Sequence, residues 1–448
     1  MKAEFPINPS LINARYVIPV RPARVVLENH SVILAGERIT DLLPIQQART
    51  RYEGCDEVNL DDHVLLPGLI NMHTHSPMTL MRGLADDMGL HQWLSEHIWP
   101  IEKRFVSEEF VADGTLLAIA EMIRAGTTCF NDNYFFPNVM ARIARKSGIR
   151  ACIGLPVIEM PTAWAGSVEE CFEKGLDLLS SDSKQSLLTY SWAPHAPYSV
   201  SDDTFSKLAE LCDENALPLH LHLLETSWDI EHSMREYGVH PIERLRQLNI
   251  LNSRLLAVHM TQLSAGDVRT LRDHGVHVIH CPQSNLKLGN GICPVSDLQR
   301  AGINVSLGTD GAASNNNLDM LAEAQTAALL AKGSSGDARV VDAFCALEML
   351  TINGAKALQM EHKIGSIEVG KSADLAALDL NAPETQPLYN VTSQLIYSAS
   401  SRQFSDVWVA GRHVLEQGEL KTIDLDGLFG TVESWRARVS AALSQLAV

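Results

Sequence analysis

The sequence predicts an α/β protein: a TIM-like (β/α)8 barrel with a small β-sandwich domain formed by both termini. Three observations predict it. Eight short, nearly continuous apolar runs recur between about residue 65 and 360. The stretches between them carry apolar residues at helical spacing. The two flanks instead alternate polar and apolar residues in strand fashion.

Taken in order, residues 9–65 contain LINARYVIPV, RVVLENHSVILAGERITDLLP and VNLDDHVLL, with turn residues between them. The eight barrel-strand candidates follow: LLPGLINMHTH, TTCFND, IRACIGLPV, LLTYSWAPH, LPLHLHLLE, LLAVHM, VHVIHCPQ and NVSLGTDG. Segments such as EEFVADGTLLAIAEMIRAG and DDTFSKLAELCDENA lie between them and end on Gly or Asn stops. Strands without alternation are those buried on both faces, as in a parallel sheet with helices outside. After residue 364, IGSIEVGKSADLAALDL and SDVWVAGRHVLEQGEL return to the strand pattern. The expected division is therefore residues 1–65 and 365–448 for the small domain and 66–364 for the barrel.

Bulk properties exclude several classes. The chain has 448 residues, 46% of them hydrophobic, so at least one large core can form. A net charge of −18 argues against nucleic-acid and anionic-membrane partners, because phosphate would be repelled. No apolar run approaches the roughly 20 residues of a membrane span, and MKAEFPINPS lacks the layout of a secretory signal. Eight scattered cysteines without a CxxC pair suit reduced thiols in a cytoplasmic protein. Any metal must then be held by histidines and carboxylates.

In a barrel of this kind, functional residues stand at the C-terminal ends of the strands. The polar residues collect there. Strand one ends in His73 and His75, which share one face because side chains alternate. Strand four runs into His195, and strand five carries His220, His222 and Glu225. Strands six, seven and eight end in His259, His280 and Asp310. His220 lies deeper in its strand and reads as a core histidine. Asp310 would be costly to bury unpaired, and no Lys or Arg is near it in sequence; a metal or a helix cap would answer that need. Three imidazoles (His73, His75, His222) and one carboxylate (Asp310) suit one divalent ion such as Zn²⁺ with an open position. Glu225 and His259 remain as acid–base groups, which a catalytic site needs and a structural one does not.

PGLINMHTH, HLHLLET, LLAVHM, HCPQSNLKLGNG, LGTDGAASNNNLDM and GSIEVGKSADLAALDL together resemble the amidohydrolase superfamily. Within it the chain looks most like the aromatic-heterocycle deaminases and chlorohydrolases, in the 5′-methylthioadenosine/S-adenosylhomocysteine deaminase branch. The resemblance implies His73, His75, His222 and Asp310 as metal ligands, Glu225 as proton shuttle and His259 as the group orienting the attacking water. It implies one metal, because strand four lacks the lysine of two-metal members. It further implies Glu102 as the ribose clamp, His195 and Ser314 as substrate contacts, and direct contact of Glu225 and Asp310 with substrate. The segment GLPVIEMPTAWAGSVEE lacks the arginines that some members use for the carboxylate of S-adenosylhomocysteine, and offers Met160, Pro161 and Trp164. That favours 5′-methylthioadenosine, unless Arg82 or Arg104 supplies the cation. The expected reaction is metal-dependent hydrolytic deamination of an adenine nucleoside, 5′-methylthioadenosine foremost and S-adenosylhomocysteine or adenosine besides, to the inosine analogue and ammonia, by a homo-oligomer, a dimer or tetramer. The alternatives are another aromatic heterocycle (guanine, a pterin, a cytosine-like base, an s-triazine) or a non-catalytic scaffold.

Overall fold

The eight apolar runs form one parallel sheet in the computed structural model, which describes residues 9–181 and 187–446. Residues 1–8, 182–186 and 447–448 lie outside the described residues. The signal-free reading of the N-terminus and the outermost residues of the expected small domain fall there.

Four strands precede the barrel: β1 (Ser10–Val17), β2 (Leu27–Ala35), β3 (Arg38–Pro44) and β4 (Asp56–Pro67). The barrel strands are β5 (Leu69–Thr74), β6 (Thr127–Asp132), β7 (Arg150–Val157) and β8 (Leu188–Pro194). They continue as β9 (Leu219–Leu223), β10 (Leu255–His259), β11 (His277–His280) and β12 (Val305–Leu307). Every residue of β5, β6, β7, β9 and β10 is buried, which is why these runs show no alternation. Neighbours pair in parallel in chain order. The first and last strands meet where Asp310 N donates to the His73 carbonyl at 2.9 Å and Thr309 N donates to Asn71 Oδ1 at 3.1 Å. Gly308 permits that approach, because a Cβ there would lie 2.6 Å from His73 N.

The flanks build a second, mixed sheet. After the barrel come β13 (Leu375–Asp379), β14 (Phe404–Val409), β15 (Arg412–Glu416) and β16 (Glu419–Leu420), and the sheet order is β16-β15-β14-β13-β4-β1-β2-β3. Hydrogen bonds between Ile39 and residues 370–371 tie the β3 edge to the segment before β13. The sheet thus wraps a core of its own that includes Val32, Leu60, Leu65, Leu375 and Trp408.

Part of the first expected barrel strand belongs to this sheet. Leu65–Pro67 ends β4, Gly68 breaks the run, and β5 starts at Leu69. A fully buried ion pair crosses the same seam. Arg150 of β7 holds Asp374 through Nε–Oδ2 at 2.8 Å and Nη2–Oδ1 at 2.9 Å. Residues after the second sheet turn back to the barrel. The helix Leu425–Leu446 packs on the barrel helix Glu108–Arg124, where Trp435 Nε1 donates to Asp113 Oδ2 at 2.8 Å and its ring meets Phe110. Among the described residues no helix is long and apolar enough to cross a membrane.

Candidate active site

The barrel brings the strand-end residues to one place. Two overlapping donor groups, His73–His75–Asp310 and His73–His222–His259, have their nitrogen and oxygen atoms within 4.8 Å of one another. Asp310 Oδ1 lies 3.3 Å from His73 Nε2 and 3.2 Å from His75 Nε2, and His75 Nε2 lies 3.3 Å from His222 Nε2. Zinc bonds of about 2.0–2.1 Å at tetrahedral corners put donors about 3.3–3.4 Å apart, so these separations fit such an ion. Among the described residues, Nε2 of fully buried His73 has no hydrogen-bond partner, a cost that a cation among these atoms removes.

Each imidazole is oriented from behind. His75 Nδ1 donates to the Asn133 carbonyl at 2.5 Å, and His222 Nδ1 donates to the His195 carbonyl at 2.7 Å. With Nδ1 carrying the proton, Nε2 of both rings offers a lone pair. His73 Nδ1 is bonded to His220 Nε2 at 2.8 Å. His220, read from the sequence as a core histidine, is therefore buried directly behind a donor. Asp310 Oδ2 accepts from Ser284 Oγ at 2.6 Å and Ser314 Oγ at 2.9 Å, leaving Oδ1 toward the histidines.

Backbone strain helps to aim these groups. His259 and Asp310 have φ of 73° and 63°, in the left-handed region that side chains other than glycine seldom adopt. Such residues cost on the order of 1–3 kcal/mol each and persist where the surroundings over-determine them. Here each turns its chain sharply at a strand end.

Electrostatics separates the roles. Burial pulls His73 down to about 4 and drives His222 well below the usual imidazole range, with neighbouring imidazoles adding to the effect. Burial also disfavours charge on His75, yet its hydrogen bond to Asp310, that carboxylate's charge and the Asn133 carbonyl raise it to about 9, a pull for positive charge at Nε2 that a metal cation would satisfy in place of the proton. Burial would lift Asp310, but His73 and His75 outweigh it and hold it well below the carboxylate range. Glu225 goes the opposite way. Burial, then the charges of Asp310 and Asp229, push it well above that range, and only a hydrogen bond from Asn290 opposes them. The site thus sets a carboxylate pushed toward its charged form against a carboxyl pushed toward its protonated form.

The remaining expected residues take the following places. Glu225 Oε1 lies 3.7 Å from His259 Nε2. His195 packs its ring 5.2 Å from that of His222, and burial lowers it to about 4. Glu102 accepts a 2.6 Å bond from Tyr134 Oη, whose ring faces His75. Ser314 is buried with its hydroxyl on Asp310. His259, which the sequence reading keeps outside the ligand set, shares a donor group with the expected ligands His73 and His222. His280 belongs to neither donor group.

Sequence reasoning missed the segment Cys281–Gly291. Its Ser284 bonds Asp310, its Asn285 Oδ1 accepts from His259 Nδ1 at 2.9 Å, and its Asn290 Nδ2 donates to Glu225 Oε1 at 2.8 Å. The motif HCPQSNLKLGNG contains all three, Ser284 and Asn285 on the short helix Pro282–Lys287 and Asn290 in the loop after it, but Ser and Asn in such a stretch read as caps and turns.

The amidohydrolase family model matches residues 64–414. The chain belongs to that family. A 5-methylthioadenosine/S-adenosylhomocysteine deaminase of Teredinibacter turnerae is 44% identical over 430 residues, covering 96% of this chain and 97% of that protein. A protein of the same name from Thermodesulfovibrio yellowstonii is 39% identical over 431 residues, covering 96% and 98%. Among solved structures, an adenosine deaminase from Xanthomonas campestris with bound zinc superposes with a TM-score of 0.95 at 48% identity, covering 96% and 98%. A zinc-complexed atrazine chlorohydrolase from Arthrobacter aurescens superposes with a TM-score of 0.89 at 20% identity, covering 95% and 99%, and shares the fold. In this amidohydrolase, the strand-end cluster described above is thus set in a hydrolase family's barrel.

Proposed function

We propose that this chain is a zinc-dependent deaminase of purine nucleosides, acting foremost on 5′-methylthioadenosine and releasing ammonia and the inosine analogue. One observation carries the reading: a cluster of metal donors lies beside a buried carboxyl, Glu225, whose surroundings favour its protonated form. The names of the relatives above point the same way.

His73, His75, His222 and Asp310 would hold the ion. When bound, Zn²⁺ acts as a Lewis acid that brings the pKa of water down toward about 7. The protein's own groups do the rest. As water adds to C6 of the purine, Asp310 takes one of its protons. His259, whose Nδ1 donates to Asn285, presents Nε2 and aims the water. Glu225 gives its proton to N1, so the C6–N1 π electrons do not remain as charge on the ring. Asp310 then passes its proton to the 6-amino group, and the C6–N bond breaks with ammonia leaving. The C6 hydroxyl returns its proton to Glu225, and the carbonyl product forms. Ser314 serves this sequence by holding Asp310.

Glu102 would accept hydrogen bonds from the ribose hydroxyls, with neutral His195 beside the sugar. For the 5′ substituent, the rings of Tyr198, Trp228 and His91 stand in a row, with centroids 5.1 and 4.4 Å apart. That aromatic surface suits a thioether. The Arg82 guanidinium is already engaged by Glu121 and the Asn316 carbonyl, which argues against its gripping an amino-acid carboxylate. A cytoplasmic location and a dimeric or tetrameric state belong to the same proposal; eight free cysteines fit a reducing compartment.

The test is ammonia release from 5′-methylthioadenosine, adenosine and S-adenosylhomocysteine against guanine, a pterin and melamine. Highest kcat/KM on 5′-methylthioadenosine supports the proposal. Preference for a free base or a triazine overturns it.

A further inference from the structure

A protonated carboxyl can carry its proton on either oxygen, and only one of the two can serve a substrate that binds on one side. The surroundings of Glu225 are unequal in this respect. Its Oε1 accepts a 2.8 Å hydrogen bond from Asn290 Nδ2, whereas its Oε2 has no hydrogen-bond partner among the described residues. An oxygen that accepts from an amide is the carbonyl-type oxygen of a neutral carboxyl, so the proton belongs on the other.

Asn290 is unusually well held for a loop residue. It is buried, and its N–H donates to the Asn285 carbonyl at 2.9 Å. Its own carbonyl accepts from Gln262 Nε2 at 2.8 Å. Thr261 Oγ1 donates to the Glu225 carbonyl at 2.7 Å, so the neighbouring Thr261 and Gln262 side chains fasten the backbones of both partners. Asp229 accepts from Glu225 N at 2.7 Å and fixes that backbone from the other side. The amide and the carboxyl therefore meet between restrained chains, with little freedom to exchange partners.

We propose that Asn290 is a positioning residue that fixes on which oxygen of Glu225 the transferable proton sits. The amide donor occupies Oε1 and leaves the O–H on Oε2. In the transfer, the Oε2–H bond breaks and N1–H forms. The carboxylate left behind keeps the Asn290 hydrogen bond, which is stronger to a charged acceptor, and regains its proton from the C6 hydroxyl. This inference rests on the reading of Glu225 as proton donor to N1.

Two variants and one control test it, each assayed for kcat and KM on 5′-methylthioadenosine, for zinc content and for melting temperature. Asn290→Ala removes the donor. Its kcat should fall by about tenfold, a fraction of the 10²–10⁴ that a general acid contributes, with KM within about threefold and zinc retained. Asn290→Asp has nearly the same shape but only acceptors, so it draws the proton onto Oε1. Its kcat should fall below that of Asn290→Ala. A residue that merely supported the loop would tolerate the isosteric Asp better than Ala, which is the reverse order. Wild-type kcat in Asn290→Ala overturns the proposal. So does a folded Asn290→Asp that turns over as fast as Asn290→Ala or faster. If Asn290→Asp does not fold, the kcat of Asn290→Ala alone decides. Glu225→Gln is the control: should it keep wild-type kcat, the proton-donor reading itself has failed, whereas a slow Glu225→Gln beside a normal Asn290→Ala removes only the role of Asn290.

Discussion

Replacing Glu225 by Gln probes the acid chemistry with little change of shape. The glutamine carbonyl can still accept the Asn290 hydrogen bond, and the side chain fills the same buried space. What it lacks is a transferable proton. Loss of a positioned general acid costs about 10²–10⁴ in rate, which is about 2.7–5.4 kcal/mol at 1.36 kcal/mol per tenfold. Nothing in the donor cluster changes, so zinc should stay at one per chain and KM within about threefold. The pH dependence gives a second signature. As proton donor, Glu225 acts in its protonated form, and burial and the charges of Asp310 and Asp229 raise its pKa. Activity that needs this proton is full below the raised pKa and lost as pH rises through it. Wild-type kcat should therefore decline on the alkaline side, and the Glu225→Gln profile should lack that limb. Initial rates of ammonia release between pH 5 and 10 measure both. A variant within about threefold of wild-type kcat, or one that keeps the alkaline limb, would refute the reasoning.

Three further predictions concern the neighbours. His222→Asn should lose bound zinc, whereas His259→Asn should retain one zinc per chain and lose kcat; metal analysis after gel filtration separates a ligand from the group that aims the water. Glu102→Gln should lower kcat/KM for nucleosides by about 10–100-fold, since a hydrogen bond to a charged group is worth about 1.5–3 kcal/mol; a titration of rate against nucleoside concentration checks it, and an unchanged KM would remove the ribose role. Arg150→Met should destabilise the fold by about 3–5 kcal/mol, because it strands the Asp374 carboxylate in a buried seam; urea denaturation reads the loss.

Much of this was legible in the chain. The eight barrel runs announced themselves because a strand buried on both faces has no reason to alternate. The strand-end histidines stood out because polar residues at the close of such runs need a purpose. The limits of the runs were less legible. Leu65 and Leu66 are as apolar as Leu69 and Ile70, yet they pair with β13 of the other sheet, and only Pro67–Gly68 marks the change. The helix Leu425–Leu446 escaped notice because its two glycines and scattered charges dilute the helical pattern; Trp435, bonded to Asp113, holds it on the barrel. Asn285 and Asn290 were invisible for a different reason. Their partners, His259 and Glu225, lie 26 and 65 residues away, and no local spacing encodes a contact between segments so far apart in the chain.

The proposed reaction needs an ion held by His73, His75, His222 and Asp310. Stripping zinc with a chelator and adding it back stepwise, with ammonia release from 5′-methylthioadenosine as the readout, tests this most directly. The account predicts no turnover in the stripped protein and activity that rises in proportion to zinc until one ion is bound per chain. Undiminished deamination by the zinc-free protein would contradict it.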